Sequence, residues 1–108
     1  MSKKKQWPLK GVKVLDLGQI YNGPYAGFLL AHAGADVVKL EPLHGEVLRQ
    51  RGGGVIPLSF AMLNTNKRGI AINLKQEKGK EILIELVKEA DVLLENFAPN
   101  AMERLGLG

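Results

Sequence analysis

The chain has 108 residues, 45% hydrophobic and 24% charged, with 15 basic against 11 acidic side chains and a formal net charge of +4. These are globular proportions at the size of a single domain, large enough for a core and small for a complete α/β enzyme. Cysteine is absent, which excludes disulfides and thiolate metal sites and suits the reducing cytoplasm. No apolar run approaches the ~20 residues that span a bilayer, so no membrane association is expected. The opening Met1-Ser2-Lys3-Lys4-Lys5 is charged with no apolar stretch behind it, so it does not read as a secretory signal. Residues 1–8 are expected to be a basic, flexible tail, and residues 1–108 a single domain.

Residues 12–17, Val-Lys-Val-Leu-Asp-Leu, are short, rich in β-branched side chains and preceded by Gly11, which reads as a first strand. Residues 18–23 form a turn. Pro24 stands where the first helical position belongs, its fixed φ already suitable. Phe28, Leu29, Leu30 and Ala33 then recur at helical spacing, and Gly34 supplies a left-handed end. A second strand is expected over residues 36–40. Residues 42–57 carry His44-Gly45 and Gly52-Gly53-Gly54; irregular segments of this length are usually functional or disordered. A short helix over 58–63, a turn over 64–69 and a third strand over 70–74 follow. Residues 77–90 put Ile82, Leu83, Leu86 and Val87 on one helical face opposite Glu and Lys. A fourth strand over 91–95 and a last helix over 100–105 precede Gly106.

One pattern occurs twice: Ala35-Asp36-Val37-Val38-Lys39-Leu40-Glu41-Pro42, and Ala90-Asp91-Val92-Leu93-Leu94-Glu95 with Pro99 just beyond. Each follows a helix and consists of a turn, a short apolar run and a closing Glu. Such runs suit strands buried on both faces of a parallel sheet, and a helix before each gives the βαβ unit. The expected fold is α/β, a parallel sheet with flanking helices. A four-stranded sheet stopping after Gly108 would leave an apolar edge uncovered, so the chain is expected to be the N-terminal part of a larger domain. In open α/β sheets ligands bind outside the carboxyl ends of the strands, which directs attention to Glu41-Pro42 and Glu95-Asn96-Phe97.

Arg49, Arg51, Lys67, Arg68, Lys75 and Arg104 fall in or beside loops. Scattered cations of this kind suit a phosphorylated small molecule. A nucleic-acid partner is not expected, because clustered basic faces and interleaved aromatics are missing. Residues 18–24 occupy the place of a dinucleotide phosphate loop, yet Pro24 follows Gly23 and G-x-G-x-x-G is not met; Glu41 only roughly matches the accompanying acid. A plain tight turn is the alternative. Lys67 and Arg68, next to Asn64 and Asn66, can meet a phosphate or a carboxylate, or simply form a solvated turn. His44 is a better base candidate than His32, but neither has a Ser or Cys partner at a recognisable spacing, and no metal spacing is present. The residues by themselves support a ligand-binding half-domain with cationic loops and no self-contained catalytic set.

Taken in series, Leu9-Lys10-Gly11-Val12-Lys13-Val14-Leu15-Asp16-Leu17, Gly23-Pro24, residues 34–42, Asn66-Lys67-Arg68-Gly69-Ile70, residues 90–97 and Met102-Glu103-Arg104-Leu105-Gly106 resemble the N-terminal region of the family III CoA-transferases. The resemblance runs from about Trp7 to Gly108. It implies a Rossmann-like domain whose strand ends hold coenzyme A, and an interlocked homodimer in complete members. It also implies a reaction: an Asp carboxylate attacks an acyl-CoA thioester, a mixed anhydride forms as CoA leaves, and CoA passes to an acceptor carboxylic acid. By position Ile20, Ile72, Lys75, Asn96, Phe97, Ala101 and Arg104 match residues that contact CoA. Lys75 and Arg104 offer charge to phosphates, Phe97 and Ile72 an apolar wall for adenine, and Asn96 a donor and an acceptor.

Two positions depart from the family pattern. Tyr21 stands where formyl-CoA transferases carry a Gln that helps position the anhydride, and Pro42 where they and the racemases carry an Arg. The family nucleophile matches none of Asp16, Asp36 or Asp91 and is expected beyond Gly108, so no catalytic residue is assigned within the chain. The alternatives are a fragment of the α-methylacyl-CoA racemase type, with its acid/base pair downstream, and a non-catalytic binding or assembly module.

Overall fold

Val14, Leu15 and Leu17 are almost entirely buried, as an apolar strand enclosed on both faces must be. They lie in or beside β1 (Lys13–Asp16), the centre of the sheet. The computed structural model describes residues 7–52 and 56–108, except for the side chains of 50–52. Most of the basic tail, Gly53 and Gly54 of the glycine run, and the Arg51 side chain therefore lie outside the described residues. The elements after β1 are α1 (Asn22–His32), β2 (Asp36–Glu41), a 3-10 turn (Val47–Gly52), α2 (Leu58–Leu63), β3 (Arg68–Ala71), α3 (Glu77–Glu89), β4 (Val92–Leu94) and α4 (Ala101–Arg104). All strands are parallel, in the order β3-β2-β1-β4. The fold is α/β, as the twice-used strand pattern requires, and its strand order is that of a doubly wound sheet.

Successive strand residues point to opposite faces, and the core divides accordingly. Leu15, Leu17 and Leu40 meet Ile72 and Leu83 on one face, while Val14 and Val37 meet Ala31 and Ala35 on the other. The former is covered by α3, the latter by α1. Val14 pairs with Val37 of β2 and with Val92 of β4, so one central residue registers both neighbours.

Three elements differ from the sequence expectation. Helix α1 begins at Asn22, so Pro24 is its third residue, not its first. No N–H in the first turn has an intrahelical partner, so a proline there loses nothing; Tyr25 N–H makes the first bond, to the Tyr21 carbonyl at 2.8 Å. Strand β3 is Arg68–Ala71, pairing Arg68 with Val38 and Ala71 with Glu41, where residues 70–74 are the expected strand. Ile72 adds one bond, N–H to the Glu41 carbonyl at 2.9 Å, and the chain then turns away. Of the four apolar residues expected on one face of α3, Leu83 and Leu86 turn inward, while Ile82 is 48% and Val87 39% exposed. Helix α2 and the left-handed end at Gly34 (φ +104°) fall where expected. Among the described residues no helix is long and apolar enough to cross a membrane.

Candidate functional site

The carboxyl ends of β1, β2 and β4 open onto a cleft of about 480 Å3 walled by Leu40, Pro42, Ile72, Lys75 and Phe97. Two hollows adjoin it. One, of about 300 Å3, is bordered by Ile20, Tyr21 and Asn96. The other, of about 360 Å3, is bordered by Phe97, Ala101 and Arg104. All seven candidate residues therefore gather at one end of the sheet, where ligand sites of open α/β folds lie. Gln19, which sequence reasoning passed over, borders all three hollows.

The loop from β1 to α1 is closed by two glycines. A Cβ on Gly18 would fall 2.6 Å from Gly23 Cα, and one on Gly23 would fall 2.5 Å from Gly18 Cα; any side chain at either position would push the two backbones apart. Side chains from both flanking strands then take over the ladder. From the β4 side, Asn96 Oδ1 accepts the Gln19 N–H at 2.7 Å and Nδ2 donates to the Gln19 carbonyl at 2.9 Å. The Asn96 donor-and-acceptor pair is thus engaged with backbone, leaving one N–H and one lone pair toward solvent. From the β2 side, Ile20 N–H donates to Glu46 Oε1 at 2.7 Å. Ile20 adopts φ +63°, an outlier for a β-branched residue that costs about 1–2 kcal/mol.

Beneath the cleft lie three carboxylates and three cations, all ion-paired. Asp16, fully buried, accepts from Lys67 Nζ at 2.7 Å and from the Gly18 N–H at 2.7 Å. Lys67 Nζ completes its set with the Pro24 carbonyl at 3.0 Å and Asn64 Oδ1 at 2.9 Å. Arg49 grips Glu41 with two bonds, at 2.6 and 3.0 Å, and lies over the Phe60 ring. Lys39 donates to the Gly18 carbonyl at 3.1 Å and faces Glu46 Oε2 at 3.6 Å. At the sheet edge Arg68 binds Asp36 at 2.6 Å. Arg49, Lys67 and Arg68 meet carboxylates of their own chain, which for Lys67 and Arg68 is one of the partners the sequence offered and for Arg49 differs from the expected phosphate. Glu41, held by Arg49, is likewise not available as a ribose acceptor.

Burial pulls the Lys67 ammonium below its ordinary pKa, with Asp16 acting in opposition. For Glu41, burial pushes the carboxyl up, but the hydrogen bonds from Arg49 and the Glu46 N–H, and the charges of Arg49 and Lys39, outweigh it and hold it below the usual range. A depressed carboxylate contributes stability above its unfolded pKa of about 4.3, and that contribution is lost as pH falls through the folded value. Glu41→Gln is therefore expected to cost about 1–2 kcal/mol at pH 7, discounted because Arg49 is more than one-third exposed. The difference from the parent chain should shrink toward zero below about pH 4. Urea unfolding at a series of pH values checks this; a gap that persists in acid would show that the pair is not what Glu41 contributes.

His44 borders the main cleft. His32 is exposed on α1, with Nδ1 3.0 Å from the Phe28 carbonyl. Among the described residues no group of three or more His, Cys, Asp or Glu could hold a metal ion. The residues missed by sequence reasoning are Lys39, Glu46 and Gln19. Only Lys39 carried a signal, as a cation inside an otherwise apolar strand.

In a doubly wound sheet, a cleft across the strand ends is the place where ligands of that fold class bind. The comparisons narrow this. The profile of CoA-transferase family III matches residues 9–108, and the chain belongs to that family. A formyl-CoA:oxalate CoA-transferase of Streptomyces coelicolor is 50% identical over 101 residues, covering 91% of this chain and 25% of that protein. The Escherichia coli O81 protein of the same name is 44% identical over 103 residues, again covering 25% of its length. Among solved structures, a CAIB/BAIF family protein from Brucella suis superposes with a TM-score of 0.89 at 36% identity, covering 96% of this chain and 29% of that one. The chain thus spans about a quarter of the length of the curated relatives it matches.

Proposed function

We propose that this chain is the N-terminal, CoA-binding portion of a CoA-transferase that moves CoA from an acyl-CoA to a carboxylic acid. The observation that carries the reading is the state of the cations. Those lodged under the cleft are neutralised by carboxylates, whereas the side chains of Lys75 and Arg104, on its rim, have no hydrogen-bond or ion-pair partner among the described residues. Two free cations on either side of Phe97 suit a ligand with several phosphates and one flat base. Ile72, buried at 5% exposure, supplies apolar wall. The nucleophilic Asp of the reaction belongs to another part of the polypeptide, and a second copy of the chain covers the apolar side chains that α3 and β4 leave exposed. Tyr21 in place of Gln leaves the acceptor acid open.

Calorimetric titration with CoA tests the reading. The native chain is expected to bind, and Arg104→Ala to weaken binding about tenfold or more, the worth of one charge-assisted bond. No heat from the native chain, or unchanged affinity in the variant, would refute it.

A further inference from the structure

The β1–α1 loop is shaped by a residue that the proposed ligand has no need to touch. Gln19, Ile20 and Tyr21 border the hollows at the strand ends, and this short stretch passes through an unfavourable backbone conformation at Ile20 (φ +63°). Asn96 accepts the Gln19 N–H and donates to the Gln19 carbonyl, and so grips the peptide that joins Gln19 to Ile20 from its carbonyl end. Glu46, 26 positions further along, grips the same peptide from its other end: its Oε1 accepts the Ile20 N–H at 2.7 Å.

We propose that Glu46 is a positioning residue for the CoA cleft: it keeps Ile20 in the left-handed conformation, and so sets where Gln19 and Tyr21 stand against the ligand. This rests on the CoA reading above. The carboxylate is well placed to impose a geometry and poorly placed to bind a ligand. It is 2% exposed, and its own N–H is anchored to Glu41 Oε1 at 2.9 Å. Its Oε1 also takes the Leu48 N–H at 3.2 Å, which ties the 3-10 turn to the same point. Among the described residues its Oε2 makes no hydrogen bond and has only Lys39 Nζ nearby, at 3.6 Å. A buried charged acceptor with so few alternatives gives a strong, directed bond. Functional loops are where strained backbone is retained by its surroundings.

The test separates positioning from plain structural support. Glu46→Ala removes the acceptor and is expected to weaken calorimetric CoA binding about tenfold, the worth of one bond to a charged group. It should also abolish hydrogen-exchange protection of the Ile20 amide, read by NMR. Glu46→Gln keeps an acceptor at the same place. It should hold CoA affinity within about threefold while lowering the melting temperature, since Lys39 loses its counter-charge. Glycine reaches positive φ without a steric penalty. In the Ile20→Gly background, Glu46→Ala should therefore cost less than about threefold, a non-additivity that a merely structural role would not produce. Equal losses in both backgrounds, or a Gln variant as weak as the Ala variant, would overturn the proposal. Should the parent chain give no heat with CoA, the CoA reading fails and the exchange measurement decides alone. Protection lost at the Ile20 amide while the β1 and β2 amides stay protected supports the positioning role, and an Ile20 amide still protected in Glu46→Ala overturns it.

Discussion

Supplied with formyl-CoA and oxalate, the chain is expected to produce no oxalyl-CoA above the uncatalysed background. Transfer through a mixed anhydride needs a carboxylate that can reach the thioester carbon. The chain has three Asp residues, and each is committed elsewhere. Asp16 is sealed under Lys67, Asp36 is paired with Arg68, and Asp91 Oδ2 accepts the Lys13 N–H at 2.8 Å. None of them borders the hollows at the strand ends. Glu46 does border the cleft, but its carboxylate is enclosed, and Glu95 accepts the Phe97 N–H at 2.9 Å. Without a covalent nucleophile only positioning and electrostatics remain, a deficit of several orders of magnitude relative to a complete enzyme. Mass-spectrometric detection of acyl-CoA products, with chain purified from a host lacking such transferases, reads the outcome. Sustained turnover would place the nucleophile within these 108 residues and overturn the proposed division of labour.

Asp16→Ala is expected to cost about 3–5 kcal/mol, the penalty for leaving one member of a buried pair without its counter-charge. Against a total stability of roughly 5–15 kcal/mol, that removes a third or more of the margin over most of the range and is enough to unfold a large share of the molecules at its lower end. Lys67 would keep two neutral acceptors, Pro24 and Asn64, and lose the only carboxylate it touches among the described residues. The Gly18 N–H would lose its acceptor at the same time. Asp16→Asn retains that acceptor and should be milder. Replacing Asp16 and Lys67 together by apolar residues should recover much of the loss, because the desolvation of both charges disappears with their attraction. Denaturant unfolding of the single and double variants measures all three. A single-variant loss below about 1 kcal/mol would mean that the pair is as weak as an exposed one.

Much of the sheet was legible because buried parallel strands are short, apolar and punctuated. Ala35-Asp36 and Ala90-Asp91 each mark a strand start, and the structure places a parallel partner of β1 directly after each. β3 was misplaced for a reason specific to edge strands. Its four residues are exposed, so polar Arg68 and bare Gly69 serve in the ladder, while Ile72 is apolar because it packs in the core. Hydropathy reports burial, not pairing. The gathering of the candidate residues at one end of the sheet followed from topology. What each charge does there did not, because the partners are remote: Lys67 meets Asp16 51 positions away, Arg68 meets Asp36 across 32, and Glu46 meets Ile20 across 26. A sequence shows that a cation is present; only the fold shows whether it is already neutralised.

The matched carboxylates and cations under the cleft also divide the chain's response to salt. Apart from Arg49, which is more than one-third exposed, this cluster is buried and neutral, projects little field into solvent and is poorly reached by mobile ions, so it should respond weakly to ionic strength. The formal net charge of +4 is then expressed by exposed side chains such as Lys75 and Arg104, whose attraction for a polyanion acts over about a nanometre before contact at 0.1 M salt. Their contribution appears in how fast such a ligand arrives, and it fades as the Debye length shortens from ~10 Å at 0.1 M salt to ~3 Å at 1 M. Encounter and cohesion are thus governed by separate populations of charge, one tuned by the medium and the other shielded from it.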